Sequence, residues 1–151
     1  MMMKRLLALA ALVLVTVASQ AQNKAEIKWY SFEEAVALNE EEPKMVLVDV
    51  YTDWCGWCKK MDKETFTDAA VVEYLNENFY AVKLDAENTK ETFEFKGEEY
   101  TQATMAQSMQ VRSYPNFVII NETMENITQL PGYRPADTFL KDLKTTLEQF
   151  K

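Results

Sequence analysis

The chain of 151 residues carries 24 acidic against 16 basic side chains, a net charge of −8, and no histidine. That acidity, without a basic stripe, argues against nucleic acid and anionic membrane surfaces as partners, and the missing histidine removes Ser-His-Asp and Cys-His catalysis. The only two cysteines are Cys55 and Cys58, too few for a disulfide-stapled scaffold or for a zinc site with its usual four ligands, which leaves a vicinal redox pair.

Lys4 and Arg5 precede an uncharged run from Leu6 to Ala18, with the small residues Ser19 and Ala21 after it. This is the layout of a secretory signal peptide over residues 1–21. The thirteen-residue run is shorter than the ~20 that a membrane-spanning helix needs. Cleavage after Ala21 leaves 130 residues with a net charge of −10, because Lys4 and Arg5 are lost. A mature domain over residues 22–151 in the periplasm or outside the cell is the expectation.

Helical and strand patterns alternate along that domain, which implies α/β layering. A short strand including Ile27 and Trp29 comes first. Ser31 and Glu34 have capping-box spacing, so a helix is predicted from Phe32 to about Glu41. Met45 to Tyr51 reads as a strand buried on both faces, with one carboxylate, Asp49, where none is expected. Gly56 to about Glu64 and Ala69 to Asn76 are predicted helices, the second capped by Asp68. Phe79 to Leu84 is a further strand. Phe93–Phe95 and Glu98–Thr101 form a hairpin around Lys96-Gly97, with a helix over Gln102 to Gln110. Phe117 to Ile120 and Ile127 to Leu130 pair as antiparallel strands. A final helix, Ala136 to Phe150, places Phe139, Leu140, Leu143, Leu147 and Phe150 on one face.

The chemistry sits in Trp54-Cys55-Gly56-Trp57-Cys58-Lys59. Two intervening residues in a helical turn bring the sulfurs within bonding reach. A strand-to-helix junction puts Cys55 at the helix N-terminus, where free backbone N–H groups favour a thiolate. Cys55 is therefore the expected nucleophile and Cys58, one turn deeper, the resolving thiol. This chemistry requires no metal and no organic cofactor. An inert structural disulfide would close only a very short loop and so stabilise little.

Val48 to Lys59 resembles the active-site segment of thioredoxins, and Val111-Arg112-Ser113-Tyr114-Pro115 resembles the loop that carries their cis-proline. Gly132 stands where thioredoxins place a glycine after the antiparallel strand pair. The resemblance covers about residues 26–150. It implies a thioredoxin fold, a mixed central sheet flanked by helices, with an insertion before the cis-proline loop. Asp49 matches the family's buried acid, whose pKa desolvation raises so that it can take the Cys58 proton. A core acid with no catalytic part is the competing reading. Lys83 matches the lysine that pairs with that acid. Pro115 is expected cis, with Tyr114 backbone groups free to pair with an extended substrate. Thioredoxins carry Gly-Pro between the cysteines and the strong oxidases of the family a histidine; Gly56-Trp57 stands here instead. Without an imidazolium to hold the thiolate, a reductase is favoured. Asn116 replaces the usual threonine after the proline.

Trp54, Trp57 and Tyr114 read as an aromatic rim around the sulfurs, with a partly buried Trp54 as the alternative. The leading function is an exported thiol–disulfide oxidoreductase, a reductase or isomerase acting on the thiols and disulfides of exported proteins and recharged by a membrane-bound electron donor. The alternatives are a non-catalytic binding module with a permanently oxidised Cys55–Cys58 disulfide, or a structural secreted domain. Two matches to the glycosylation tripeptide, at Asn121 and Asn126, are short enough to arise by chance.

Overall fold

In the computed structural model, which describes residues 24–150, the elements follow the order that the hydrophobic pattern predicts. The leader read over residues 1–21 lies outside the described residues. Strand β1 (Trp29–Tyr30) is only two residues long, so Ile27 falls outside it, although Ile27 is buried. Ser31 then starts helix α1 (Phe32–Glu41) with a reciprocal capping box: its Oγ accepts from the Glu34 amide at 3.1 Å, and the Glu34 carboxylate accepts from the Ser31 amide at 2.8 Å. Strand β2 (Met45–Tyr51) is buried from Met45 to Val50, as a strand covered on both faces must be.

Helix α2 (Gly56–Lys60) does not continue regularly to Glu64. It widens into a π-type turn over Met61–Thr65, closed by the Phe66 amide donating to the Met61 carbonyl at 2.9 Å. Met61 and Thr65, four apart and on one face, are both buried in the core. The Thr65 hydroxyl donates to the Arg134 carbonyl at 2.6 Å, a long-range bond that no local pattern announces. Helix α3 (Ala69–Asn78), capped by Asp68, runs two residues past the expected end and feeds directly into strand β3 (Phe79–Asp85).

The insertion forms a hairpin of strands β4 (Thr92–Phe95) and β5 (Glu98–Thr101), followed by helix α4 (Gln102–Ser108). Lys96 and Gly97 both take positive φ, 52° and 80°, which the two-residue turn requires. Helix α4 stops short of Gln110 because that residue itself takes φ 60°. Strands β6 (Asn116–Ile120) and β7 (Ile127–Pro131) and helix α5 (Ala136–Gln149) complete the chain. The Asn121 side chain is committed to the β6–β7 turn, where its Oδ1 accepts from the Glu125 and Asn126 amides at 3.0 Å each.

The main sheet has the order β1-β3-β2-β6-β7, with the first three strands parallel and β6 and β7 antiparallel to their neighbours. It separates two cores. One holds Val46, Val48, Val50 and Val118 against α1, α4 and the hairpin, whose Phe93 and Phe95 pack on Phe32 at 5.4 and 5.2 Å. The other holds Leu47, Phe117 and Ile119 against the π-turn, α3 and α5. Phe139 and Leu143 of α5 are fully buried there, and Leu140, Leu147 and Phe150 pack beside them, as the helical periodicity predicts. The Phe139 ring lies 4.9 Å from that of Phe117 and 5.8 Å from that of Phe66. Phe139→Ala is expected to destabilise the protein by about 3–5 kcal/mol, read as a lower urea midpoint at unchanged slope.

Candidate redox site

The sheet register gathers the site at one end. Tyr51 ends β2 opposite Asp85, the last residue of β3; Val50 pairs with Asn116, the first of β6; and Asn116 pairs with Pro131, the last of β7. The segments leaving β2, β3 and β7 and the one entering β6 therefore emerge side by side, where open α/β sheets present their sites. The segment after β2 is the cysteine turn. Cys55 is the N-cap of α2, extended at φ −74°, and its Sγ accepts from the Cys58 amide at 3.1 Å. The two cysteines are joined as a disulfide with their Cα atoms 5.3 Å apart. Each is only 4% exposed, so burial does not rank them; the cap position does. The Cys58 amide is thus aimed at the Cys55 sulfur, where a helix N-terminus offers its free N–H groups.

The segment entering β6 contains a cis Tyr114-Pro115 bond. The Pro115 carbonyl accepts from the Gly132 amide at 2.8 Å, and Gly132 takes φ 90°, a conformation that a side chain would strain. Asn116, the departure from the thioredoxin pattern, is buried; its Nδ2 donates to Gln129 Oε1 at 2.8 Å, and Gln129 passes the chain on to the Met109 carbonyl at 2.7 Å.

The rim is aromatic and exposed. Trp54 is 66% and Trp57 57% exposed, so Trp54 belongs to the rim and not to the core. Trp54 meets Tyr114 edge-on at 5.9 Å and donates its indole N–H to Glu87 at 2.9 Å. Trp57 stacks obliquely on Tyr133 at 5.2 Å. No side chain of Gly56 intervenes, and a Cβ built there would meet nothing within 4 Å.

Asp49 and Lys83 are direct neighbours across β2 and β3. Lys83 Nζ lies 2.7 Å from Asp49 Oδ2, while Asp49 Oδ1 is buried with no hydrogen-bond partner. Burial pushes the Asp49 carboxyl up to about 6; the Lys83 ammonium pulls it back, and the Asp62 carboxylate adds a smaller upward push. Burial lowers Lys83, but Asp49 and Asp62 more than offset this and hold it above the usual lysine range. The ammonium also lies over the rings of Trp29, Tyr51 and Phe66 at 4.9, 5.2 and 5.3 Å.

The sequence profile of the thioredoxin-like domain matches residues 32–147. The chain belongs to the thioredoxin-like domain family. Its fold is that of the thiol–disulfide oxidoreductases, with the Cys55–Cys58 disulfide on the turn after β2. Among curated relatives, an uncharacterized protein of Archaeoglobus fulgidus is 34% identical over 85 residues, 56% of this chain and 67% of its own length. The thiol:disulfide interchange protein DsbD of Actinobacillus pleuropneumoniae is 30% identical over 105 residues, 68% of this chain. A protein disulfide-isomerase of Zea mays is 30% identical over 114 residues, 76% of this chain. This chain spans 16% of the length of that interchange protein and 19% of that isomerase. Among solved structures, a candidate disulphide-isomerase of Bacteroides thetaiotaomicron is 34% identical with a TM-score of 0.62, covering 81% of this chain and 92% of that one. The DsbH oxidoreductase, at 16% identity and a TM-score of 0.66 over 85% of this chain and 90% of that one, shares the fold.

Sequence reasoning passes over three residues beside the disulfide and the Asp49–Lys83 pair. Asp62 follows Cys58 by one helical turn and lies in the π-turn, where Lys83 donates to its Oδ1. Glu87 and Tyr133 come from loops whose destination is set by the register; the one available signal is that Tyr133 follows Gly132, a position the sequence singles out.

The raised carboxyl has a signed consequence for stability. Asp49 moves from an ordinary 3.8 to about 6 on folding, so the folded protein binds more protons between these values. The associated stability is present below the lower value and lost as pH rises through the upper one. Asp49→Asn keeps the shape without the charge, and Lys83 keeps Asp62. Urea titrations from pH 4 to 7.5 are expected to show the stability difference moving in the variant's favour up to about pH 6 and levelling off above it.

Proposed function

We propose that this chain is an exported protein-disulfide reductase or isomerase, and the observation that carries this is the Cys55–Cys58 disulfide at the cap of α2, on the sheet end shared with the cis Tyr114-Pro115 loop. A permanently oxidised binding module has no physical need for a sulfur aligned with a backbone donor. The basic and apolar leader pattern over residues 1–21 supports export to the periplasm or beyond.

In the proposed cycle the Cys55 thiolate attacks a substrate disulfide. A mixed disulfide forms, and the substrate's other sulfur leaves as a thiolate. Cys58 then loses its proton to Asp49 and attacks the Cys55 sulfur. The substrate's second sulfur leaves, the substrate has gained two electrons, and the protein is left as the disulfide described above. A dithiol donor, membrane-bound in this reading, returns the pair to the reduced state by the reverse exchange. Asp49 suits the proton step because its pKa near 6 lies close to neutral and its Oδ1 has no other partner. Lys83 holds the second oxygen and keeps the carboxyl in place. Trp54, Gly56, Trp57, Tyr114 and Pro115 form the surface that receives the substrate, with the Tyr114 backbone pairing with an extended chain.

With dithiothreitol as donor, the protein without its leader is expected to reduce insulin disulfides, and Cys55→Ser to abolish this; activity surviving in that variant means that the nucleophile is another group. Cys58→Ser is expected to accumulate reductant-sensitive complexes with envelope proteins on non-reducing gels, because attack proceeds and resolution does not. A folded, exported variant that traps nothing favours the binding module. In stopped-flow kinetics, Asp49→Asn is expected to slow resolution of the mixed disulfide by roughly 10- to 100-fold with little effect on its formation.

A further inference from the structure

Beyond Trp57, the wall of the site is built by the segment that leaves β7. Five hydrogen bonds fix that segment independently of the cysteines. The Gly132 amide donates to the Pro115 carbonyl at 2.8 Å. The Arg134 guanidinium donates to the Pro131 and Gly132 carbonyls at 2.7 and 3.0 Å, and its Nε donates to Asp142 at 2.6 Å. Thr65 donates to the Arg134 carbonyl at 2.6 Å. Tyr133 is thereby set between two anchored residues. Its ring lies 5.2 Å from that of Trp57, its hydroxyl donates to Glu64 at 2.8 Å, and Lys60 Nζ lies 5.2 and 4.8 Å from the Trp57 and Tyr133 rings.

We infer that Tyr133 is a specificity-determining residue of this site: with Trp57 it forms a fixed aromatic wall that grips an aromatic or large aliphatic side chain next to the cysteine of an extended polypeptide. This rests on the reading of the site as a protein-disulfide exchanger. Trp57 stands between the two cysteines, and a flanking residue of a polypeptide joined to Cys55 that lies across Trp57 meets the Tyr133 ring beside it. The wall is held before substrate arrives, by a hydrogen bond at the phenol and by four hydrogen bonds on the adjoining backbone, so little side-chain freedom is lost on binding. Aromatic surface of this kind, central to a contact, carries a disproportionate share of binding energy. A small disulfide has no flanking chain with which to use it.

The test compares insulin with 2-hydroxyethyl disulfide. The selectivity, the ratio of the two kcat/KM values, is expected to fall roughly tenfold in Tyr133→Ala through the insulin KM. Tyr133→Phe, which keeps the ring and loses only the bond to Glu64, is expected to stay within about twofold of wild type. An unchanged ratio in Tyr133→Ala, or equal loss on both substrates, overturns the inference. If wild type turns over neither disulfide, it is the redox reading that has failed. Calorimetric binding of carboxymethylated insulin B chain to the oxidised protein then decides the wall alone: weaker binding in Tyr133→Ala supports it, and equal or absent binding overturns it.

Discussion

Placing a carboxylate in the middle of an apolar strand costs free energy that a valine would not, and much of the site's geometry follows from how Asp49 meets that cost. Asp49 is 2% exposed, between Val48 and Val50 in a strand buried on both faces. Lys83 pairs with it because β2 and β3 run parallel in a register that sets the two residues opposite each other. Lys83 in turn is only partly buried, caged by three aromatic rings and shared with Asp62. The result is an acid held close to neutrality, with one oxygen fixed and the other free. That is a poor arrangement for stability and a good one for moving a proton.

The same register explains why the site needs no deep pocket. Four segments emerge at one end of the sheet, and each contributes one kind of group: sulfur from the turn after β2, a carboxylate from the turn after β3, a cis-proline before β6 and an anchored aromatic after β7. The disulfide is nearly covered, yet the two tryptophans beside it are among the most exposed large apolar residues described. Apolar surface left in water at a covered reactive bond suits a polypeptide that supplies its own apolar side chains. The Trp54 side carries Glu87, and the Trp57 side carries Lys60 paired with Glu64 at 3.9 Å.

Gly56-Trp57 between the cysteines has a physical meaning that the fold makes explicit. Gly56 leaves open space above the turn, and Trp57 turns outward onto Tyr133 instead of toward the sulfurs. With no histidine in the chain, the groups presented to the Cys55 sulfur are the cap amide and the local backbone.

Local rules sufficed for most of the elements. Ser31 and Glu34 announce α1, Asp68 announces α3, and the apolar run Met45 to Val50 announces the central strand, because capping and periodicity are properties of neighbouring residues. The cysteine spacing and the resemblance of residues 48–59 and 111–115 to thioredoxins were sufficient to nominate Cys55, Cys58, Asp49, Lys83 and Pro115. Tertiary structure decided the rest. The π-turn at Met61–Thr65 carries Thr65, which reaches Arg134 sixty-nine residues away, and Asp62, which meets Lys83. The exposure of Trp54 depends on Glu87 and Tyr114, and the placing of Tyr133 depends on Pro115, Asp142 and Trp57. These are contacts between segments far apart in the chain, and no periodicity within either segment encodes them; only the strand register, fixed when the whole sheet assembles, brings them together.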